Sequence, residues 1–224
     1  MVDFEGANKA KTQGFLARPR NGGKYPAVIV IHEIWGLVDQ IKDVCKRLAD
    51  EGFVGFGVDL FGGKIVSSLE EGRKIREHIT EEGAMTDLNG AFNYLQSLEY
   101  VDSKRIGSIG FCMGGGLSLL FACDNRELAA AVAFYGRNPS PIDMVKNVNC
   151  PILGNYAGAD MAIKESDISL LEETLKKYGK VFDIKVYSGA PHAFFNETRE
   201  SYRPEAAEDA WKRTLNFFNK YLKA

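Results

Sequence analysis

Cys112 lies at the centre of a short glycine-framed motif, Gly110-Phe-Cys-Met-Gly114. A run of β-branched residues precedes the motif and a helical pattern follows it, so the thiol is expected at a turn between a strand and a helix N-terminus. Glycines two residues before and after the cysteine permit the close backbone approach that such a turn requires. The unpaired N–H groups of a helix N-terminus favour a thiolate. The motif therefore predicts a nucleophilic thiol; the alternative is a cysteine packed inertly where a glycine-rich turn meets a helix.

Two further residues have the types and places that the partners of a nucleophile need. His192 follows a predicted strand that ends near Tyr187, and Asp160 follows the predicted strand Pro151–Tyr156. An imidazole in a loop can act as a general base, and a carboxylate beside it can orient the ring. Taken singly, Asp160 is equally explained as a helix N-cap and His192 as a turn residue. Together with Cys112 they follow the chain order nucleophile, acid, base of the α/β hydrolases, which predicts a catalytic triad.

The segment His32-Glu-Ile-Trp-Gly36 follows another predicted strand. Its Ile34 N–H, together with the Met113 N–H after the cysteine, predicts an oxyanion hole, because such donors stabilise the charge that develops on an attacked carbonyl. Glu33 is predicted beside the thiol, where its charge disfavours the thiolate or its oxygen holds a neutral S–H by a hydrogen bond. The alternative for Glu33 is a solvated loop charge. His32 is expected to be structural.

The elements that position these residues are short β-branched runs that alternate with longer helical patterns. This alternation is typical of the α/β class, a mainly parallel sheet with helices on both faces. The predicted strands are Tyr25–His32, Phe53–Asp59, Arg105–Phe111, Leu128–Phe134, Pro151–Tyr156 and Phe182–Tyr187. The predicted helices are Gln40–Glu51, Leu88–Leu98, Gly115–Ala122, Ser166–Tyr178 and Glu205–Leu222. Residues 1–224 are expected to form one domain. The polar segment Gly62–Gly83 is predicted to be a small lid that exposes His78.

Composition narrows the classes of function. At 224 residues and 45% hydrophobic, the chain is long enough to bury one substantial core. Its 28 basic and 30 acidic residues nearly cancel, so we expect no nucleic-acid or anionic-membrane partner. The sequence has no export signal and no apolar run of about 18 residues, which predicts a cytoplasmic protein. Four cysteines without a C-x-x-C pair and only three histidines favour reduced thiols and no metal site, and no organic cofactor is expected.

The sequence resembles the dienelactone hydrolase family, also called the carboxymethylenebutenolidases, over nearly its whole length. The motifs that carry the resemblance are His32-Glu-Ile-Trp-Gly36, Asp59-Leu60, Gly110-Phe-Cys-Met-Gly-Gly115, Asp160 and Gly189-Ala-Pro-His-Ala-Phe194. The resemblance implies the α/β-hydrolase fold and a triad of Cys112, Asp160 and His192, with Glu33 next to the thiol. It also implies that the two amides named above form the oxyanion hole and that the substrate is a small ester or lactone.

Two departures from the family bear on substrate choice. The best-known members hold the carboxylate of a dienelactone with two arginines, and at the matching positions this sequence has Leu69 and Asn196. Because an amide cannot replace a guanidinium electrostatically, small neutral lactones or short-chain esters are expected to be at least as good substrates as carboxylated dienelactones. The predicted substrate contacts are Trp35, Arg73, Arg76, Tyr135 and Asn196, with the two arginines as candidate replacement anchors.

The predicted chemistry is acyl transfer, in which Cys112 attacks the carbonyl and His192 then activates water to cleave the thioester. An acyltransferase or a thioesterase stays open as an alternative, because the fold does not fix the acceptor or the leaving group. A non-catalytic redox-sensing or ligand-binding protein is a second alternative. Cys123 is a poor resolving partner for Cys112, since it lies roughly 16 Å further along the helix at about 1.5 Å per residue. The sequence leaves the oligomeric state open.

Overall fold

The computed structural model describes residues 1–6 and 11–223 of the chain. The strands of this part are Val2–Glu5 (β1), Lys11–Ala17 (β2), Tyr25–Ile31 (β3), Val54–Val58 (β4), Val101–Phe111 (β5), Ala130–Phe134 (β6), Ile152–Ala157 (β7) and Phe182–Tyr187 (β8). Its α-helices are Asp39–Asp50 (α1), Leu69–Glu77 (α2), Glu81–Ser97 (α3), Met113–Asp124 (α4), Glu165–Lys177 (α5) and Pro204–Leu222 (α6). A short 3₁₀-helix spans Ile142–Asn147. None of the helices in these described ranges combines the length and the apolar character needed to cross a membrane.

The strands form one eight-stranded sheet in the order β1-β2-β4-β3-β5-β6-β7-β8. Strand β2 runs antiparallel to both of its neighbours, and the pairs from β4 across to β8 are parallel. The parallel pairs need long crossover connections, which the helices supply. The predicted α/β architecture with a mainly parallel sheet is therefore confirmed.

The central strand β3 shows why this sheet needs helices on both faces. Val28 and Val30 pack with residues of α1 and α6, whereas Ile29 and Ile31 pack with residues of α3, α4 and α5. All four side chains are fully buried. Successive residues of a strand point to opposite faces, so a continuous apolar run is stable only where both faces are covered.

Helix α1 illustrates how the local sequence sets a helix and its end. The apolar residues of its buried face recur at helical spacing and are Ile41, Val44, Cys45 and Leu48. The helix ends in a Schellman motif, in which Gly52 adopts a φ of 80°. The N–H of Gly52 donates to Ala49 and the N–H of Phe53 donates to Leu48, which turns the chain directly into β4.

The predicted elements are all present, and most of their ends lie within a few residues of the predicted ones. Helix α3 is an exception, because Thr80 caps it at Glu81 by accepting a hydrogen bond from the Gly83 N–H, well before the predicted start at Leu88. Strands β1 and β2 are not predicted from the sequence. In β2 only Gly14 is fully buried, so the strand lacks the alternation of apolar side chains that a pattern search requires.

The predicted lid segment Gly62–Gly83 divides into two parts. Its last residues belong to α3, which packs on the sheet, so the segment is not one structural unit. Its middle is α2, which is capped by the Ser68 side chain. Gly72 of α2 lies against the loop after β3, where an added Cβ would be 2.6 Å from the carbonyl oxygen of Ile34. A lid stays a prediction for the part of the segment before Thr80.

The parallel arrangement brings four loops to one edge of the sheet. The loops that follow β3, β5, β7 and β8 carry Glu33, Cys112, Asp160 and His192, in that order. Because the carboxyl ends of parallel strands share one edge, these side chains belong to one region of the molecule.

Candidate active site

Cys112 is the single residue between β5 and α4, and its backbone is strained. Its φ of 54° and ψ of −112° are rare for any residue except glycine. Two hydrogen bonds hold it there: its N–H donates to the Phe134 carbonyl at 3.0 Å, and its carbonyl accepts from the Gly116 N–H at 3.2 Å. The half-buried thiol is thus fixed at the N-terminus of a helix.

Gly110 and Gly114 make this turn sterically possible. A Cβ on Gly110 would overlap the Gly114 carbonyl, and a Cβ on Gly114 would overlap the Ile31 carbonyl at the end of β3. Both overlaps involve backbone, which cannot move aside without displacing a strand or a helix. The glycine spacing of the motif therefore has a direct steric cause in this fold.

Asp160 and His192 are joined by a short hydrogen bond. The Nδ1 atom of His192 lies 2.6 Å from Oδ2 of Asp160. The other carboxylate oxygen accepts from the backbone N–H groups of Ala162 at 2.7 Å and Ile163 at 3.1 Å. Burial alone would raise the pKa of Asp160, but the hydrogen bonds from His192 and Ala162 hold it below its usual value. A charged, immobile carboxylate consequently orients the imidazole.

His192 also lies close enough to Cys112 for the thiol to affect its protonation. Burial lowers the pKa of His192, but the interactions with Asp160 and Cys112 outweigh it and raise the pKa to about 10. The imidazole is therefore protonated at neutral pH.

Glu33 is buried, which shows that the alternative of a solvated loop charge is wrong. Its Oε2 accepts from Asn196 Nδ2 at 2.6 Å, and its Oε1 accepts from the Tyr135 hydroxyl at 3.3 Å. Burial raises the pKa of Glu33, while Asn196, the charge of His192 and Tyr135 act in the opposite direction. Both carboxylate oxygens thus have partners other than the Cys112 thiol. The predicted effect of Glu33 on the thiol, through its charge or through a hydrogen bond to a neutral S–H, stays a prediction.

Asn196 holds Glu33 in a defined orientation. Its Oδ1 accepts from both the N–H and the Oγ1–H of Thr198, at 3.1 and 2.7 Å, so its Nδ2 must point towards Glu33. Tyr135, with a φ of 39°, is equally buried, and its ring centroid lies 5.0 Å from that of His192. The predicted substrate contacts Asn196 and Tyr135 are therefore packed against Glu33 in this structure.

One predicted oxyanion donor belongs to the turn after β3, and the other belongs to α4, directly after Cys112. Met113 is the first residue of α4, so its N–H has no partner within the helix. Ile34 lies in the turn after β3. Within residues 1–6 and 11–223, neither N–H group donates a hydrogen bond to another part of the chain. Both amides are consequently free to receive an acceptor.

Arg199 belongs to this region and is missed by the sequence interpretation. Its guanidinium carbon lies 3.7 Å from the centroid of the Trp35 ring, a stacked cation–π contact. Its charge lowers the pKa of Glu33. Its buried Nε has no hydrogen-bond partner in the described part of the chain. The available signal is its place in the polar run Asn196–Glu200 that follows the histidine loop.

The arginines of α2 are placed differently from the prediction. Arg73 is exposed, and Arg76 donates to the Ile79 carbonyl at 2.6 Å at the end of its own helix. Leu69 is also exposed, as is His78. No hydrogen bond or ion pair in the described ranges joins either arginine to Cys112, His192 or Glu33. The structure brings Arg199, rather than these residues, to Trp35.

The arrangement of the sheet and its loops defines a class of protein, the α/β hydrolases, with the cysteine at the turn after β5 and the acid and histidine after β7 and β8. The same fold occurs in dipeptidyl peptidase 4 of Porphyromonas gingivalis, which is 18% identical and superposes with a TM-score of 0.78 over 99% of this chain and 35% of that chain. At this identity the likeness concerns the fold alone.

Among the described residues, no group of three or more His, Cys, Asp or Glu side chains could hold a metal ion.

Comparison of sequences defines the family. Residues 12–222 match the model of the Dienelactone hydrolase family. A protein of Saccharolobus solfataricus named "Putative carboxymethylenebutenolidase" is 37% identical over 98% of each chain, and "Protein usf" of Aquifex pyrophilus is 38% identical over 99% of this chain and 98% of its own. The crystal structure of a "Putative Dienelactone Hydrolase" from Klebsiella pneumoniae, 29% identical, superposes with a TM-score of 0.91 and covers 98% of this chain and 99% of that chain. This chain belongs to the dienelactone hydrolase family of hydrolases, as its motifs predict.

Proposed function

We propose that this protein hydrolyses a small ester or lactone through an acyl-thioenzyme on Cys112. The observation that carries the proposal is that a strained Cys112 lies close enough to His192 to affect its protonation, while Nδ1 of His192 lies 2.6 Å from Oδ2 of Asp160. Relatives named as carboxymethylenebutenolidases support the choice of a lactone or ester carbonyl as the electrophile.

In the acylation step, the Cys112 sulfur attacks the carbonyl carbon, and the carbonyl electron pair moves to the oxygen. The N–H groups of Ile34 and Met113 donate to that oxyanion. When the intermediate collapses, the C–O bond breaks and the imidazolium of His192 gives its proton to the departing alkoxide. In a lactone this alkoxide stays attached to the acyl chain, so the first step opens the ring without releasing a product.

In the deacylation step, neutral His192 takes a proton from water while the water oxygen attacks the thioester carbon. The second oxyanion occupies the same two amides, and its collapse breaks the C–S bond. The carboxylic acid leaves, and the returned proton restores the Cys112–His192 pair. Asp160 keeps the ring in the orientation that presents Nε2 to the sulfur, because its own contact fixes Nδ1.

Whether the site accepts a negatively charged substrate depends on a positively charged side chain close to it. The sequence predicts a preference for neutral substrates because Leu69 and Asn196 stand where the family has arginines. Arg199 changes that expectation, since its buried Nε lacks a partner among residues 1–6 and 11–223 and its guanidinium stacks on Trp35. We therefore expect carboxylated lactones to be accepted along with neutral ones, with Arg199 as the carboxylate contact in place of Arg73 or Arg76.

The direct test uses p-nitrophenyl acetate and a small lactone with the wild-type protein, Cys112→Ala and Cys112→Ser. We expect Cys112→Ala to lose turnover while its thermal unfolding midpoint stays near that of the wild type. The matched Cys112→Ser variant retains a nucleophile of similar size and should form a trappable oxygen ester.

The acyl-enzyme itself can be detected. Mass spectrometry of quenched wild-type protein should show an acyl adduct on Cys112. Turnover by Cys112→Ala at the wild-type rate would refute the proposal, and acyl transfer to an added thiol or alcohol in preference to water would make the protein an acyltransferase.

A further inference from the structure

The peptide group between Glu33 and Ile34 carries one of the two proposed oxyanion donors. Its N–H is the Ile34 donor of the proposed oxyanion hole, and its C=O belongs to Glu33. A trans peptide group is planar, so its C=O and N–H point in opposite directions along one rigid unit. Any contact that fixes the Glu33 carbonyl therefore also fixes the direction of the Ile34 N–H.

His32 makes such a contact. Its Nδ1 lies 2.5 Å from the Glu33 carbonyl oxygen, and the Leu60 N–H donates to its Nε2 at 3.2 Å. A backbone N–H can only donate, so Nε2 must carry the lone pair and Nδ1 must carry the proton. The Nδ1–H of His32 consequently donates to the Glu33 carbonyl. Burial lowers the pKa of His32, which keeps this neutral tautomer.

The Nε2 side of the His32 ring is enclosed by residues that follow β4. Leu60 follows β4, and the next N–H, that of Phe61, donates to Oδ1 of the buried Asp59 at 2.9 Å. The Phe61 ring meets the imidazole edge to face, with 4.9 Å between the ring centroids. His32 is fully buried, so it has no surface with which to touch a substrate.

Two further contacts confine the Glu33 carbonyl and the peptide group that follows it. The Gly36 N–H donates to the Glu33 carbonyl at 3.4 Å, a longer bond than the one from His32. On the α2 side, Gly72 has no Cβ, which leaves room for the Ile34 carbonyl. The short bond from His32 is thus the strongest constraint on the Glu33 carbonyl.

We infer that His32 is a positioning residue for the oxyanion hole: by holding the Glu33 carbonyl, it aims the Ile34 N–H at the carbonyl oxygen of a substrate bound to Cys112. The inference rests on the proposed acyl transfer at Cys112 and adds to it the origin of one donor's direction. His32 acts through the peptide group and takes no part in proton transfer.

A matched pair of substitutions separates the two hydrogen bonds of His32. In His32→Asn, the side-chain amide nitrogen replaces Nδ1 and keeps the donor to Glu33, while the acceptor for Leu60 is lost. In His32→Gln, the longer side chain places its oxygen near the Nε2 position and keeps the acceptor for Leu60, while the donor to Glu33 is lost. Each variant removes one hydrogen bond to a buried backbone group, although the Glu33 carbonyl in His32→Gln keeps its longer bond from the Gly36 N–H. Thermal unfolding of both variants therefore accompanies the kinetics, so that a difference in stability is measured directly.

The readout compares acylation with alkylation of the same thiol. Acylation, measured as the p-nitrophenol burst from p-nitrophenyl acetate, passes through an oxyanion, whereas alkylation by iodoacetamide does not. For His32→Gln we expect kcat to fall about ten- to hundredfold, somewhat less than the roughly 10²–10³-fold cost of deleting an oxyanion donor, with little change in KM or in the alkylation rate. For His32→Asn we expect the kcat to stay within about threefold of wild type, because the donor is kept.

Several outcomes would overturn the inference. Equal losses of kcat in the two variants, or a parallel fall in the alkylation rate, would show a merely structural role.

A measurement on the unmodified protein covers the case in which a variant does not fold. The ¹⁵N chemical shifts of His32 should show a protonated Nδ1 and an unprotonated Nε2, and the opposite tautomer would refute the contact. The proposed function and the role of His32 can fail separately. Full turnover by Cys112→Ala refutes the proposed function. If Cys112→Ala is inactive and the two His32 variants are equally impaired, only the role of His32 is refuted.

Discussion

Replacing Asp160 by asparagine removes the charge beside His192 while leaving the size of the side chain unchanged. The pKa of His192 is about 10 against an ordinary 6.5, which corresponds to roughly 5 kcal/mol in favour of the imidazolium at about 1.4 kcal/mol per pKa unit. Against the opposing effect of burial, Asp160 and Cys112 share this stabilisation. Losing the hydrogen bond to the charged carboxylate costs about 1.5 to 3 kcal/mol, or roughly ten- to a hundredfold in the population of the charged pair.

A second effect adds to this loss. The remaining oxygen of asparagine is expected to keep the N–H groups of Ala162 and Ile163, which places the amide NH₂ group towards His192 Nδ1. That group donates, so it favours the tautomer protonated at Nε2, which can no longer accept a proton from Cys112. The same exchange lowers kcat by about 10⁴ in a serine triad. We therefore expect a loss of kcat between about tenfold and about 10⁴-fold.

The assay measures kcat over a range of pH for wild type, Asp160→Asn and the control Asp143→Asn. Asp143 is an exposed aspartate that pairs with Lys177 and Tyr178 away from the site, so its variant should keep wild-type activity. Circular dichroism should show both variants folded. Activity of Asp160→Asn within about threefold of wild type would refute the assignment of Asp160 as the orienting acid.

Three further predictions address charge in the site. Glu33→Gln should raise the rate of Cys112 alkylation by iodoacetamide near neutral pH, because a negative neighbour that disfavours the thiolate is gone; an unchanged or slower rate contradicts this role. Arg199→Met should lower kcat/KM for a carboxylated lactone by about ten- to a hundredfold, the worth of a charge-assisted hydrogen bond, and leave a matched neutral lactone nearly unchanged. The exposed control Arg73→Met should alter neither, and equal losses on both lactones would remove Arg199 as the anchor. The raised pKa of His192 stabilises the fold fully below pH 6.5 and ceases to do so as the pH rises to about 10. The difference in free energy of urea unfolding between wild type and His192→Gln should shrink across this interval, and a constant difference would contradict the pKa.

The pattern of the sequence is enough to predict the elements that carry the site. Strand β8 has its predicted ends, Phe182–Tyr187, and β3 ends one residue before the predicted His32. These predictions succeed because buried strands and helices leave periodic apolar patterns in the local sequence. Strands β1 and β2 escape such a search, since their place at the edge of the sheet is stabilised by pairing, of β1 with β2 and of β2 with β4, rather than by a continuous apolar face of their own.

The order of the motifs also determines which loops meet. Once the strands are parallel, a nucleophile after β5, an acid after β7 and a histidine after β8 must share one sheet edge, so the chain alone predicts the neighbourhood of Cys112, Asp160 and His192. The steric requirement for Gly110 is equally local, because it arises within one turn, whereas the requirement for Gly114 arises from the neighbouring strand β3.

Only the tertiary structure decides what surrounds these residues. Glu33 meets Tyr135, 102 positions later, and Asn196, 163 positions later, and neither separation leaves a signal in the sequence. The same is true of Arg199 on Trp35 and of Leu60 on His32. A hydrogen bond depends on two groups arriving within about 3 Å at the right angle, and that distance is set by how loops from different strands pack. The sequence therefore predicts the candidate reacting groups of this hydrolase, and the packing of its loops determines the surroundings, orientation and partners of each.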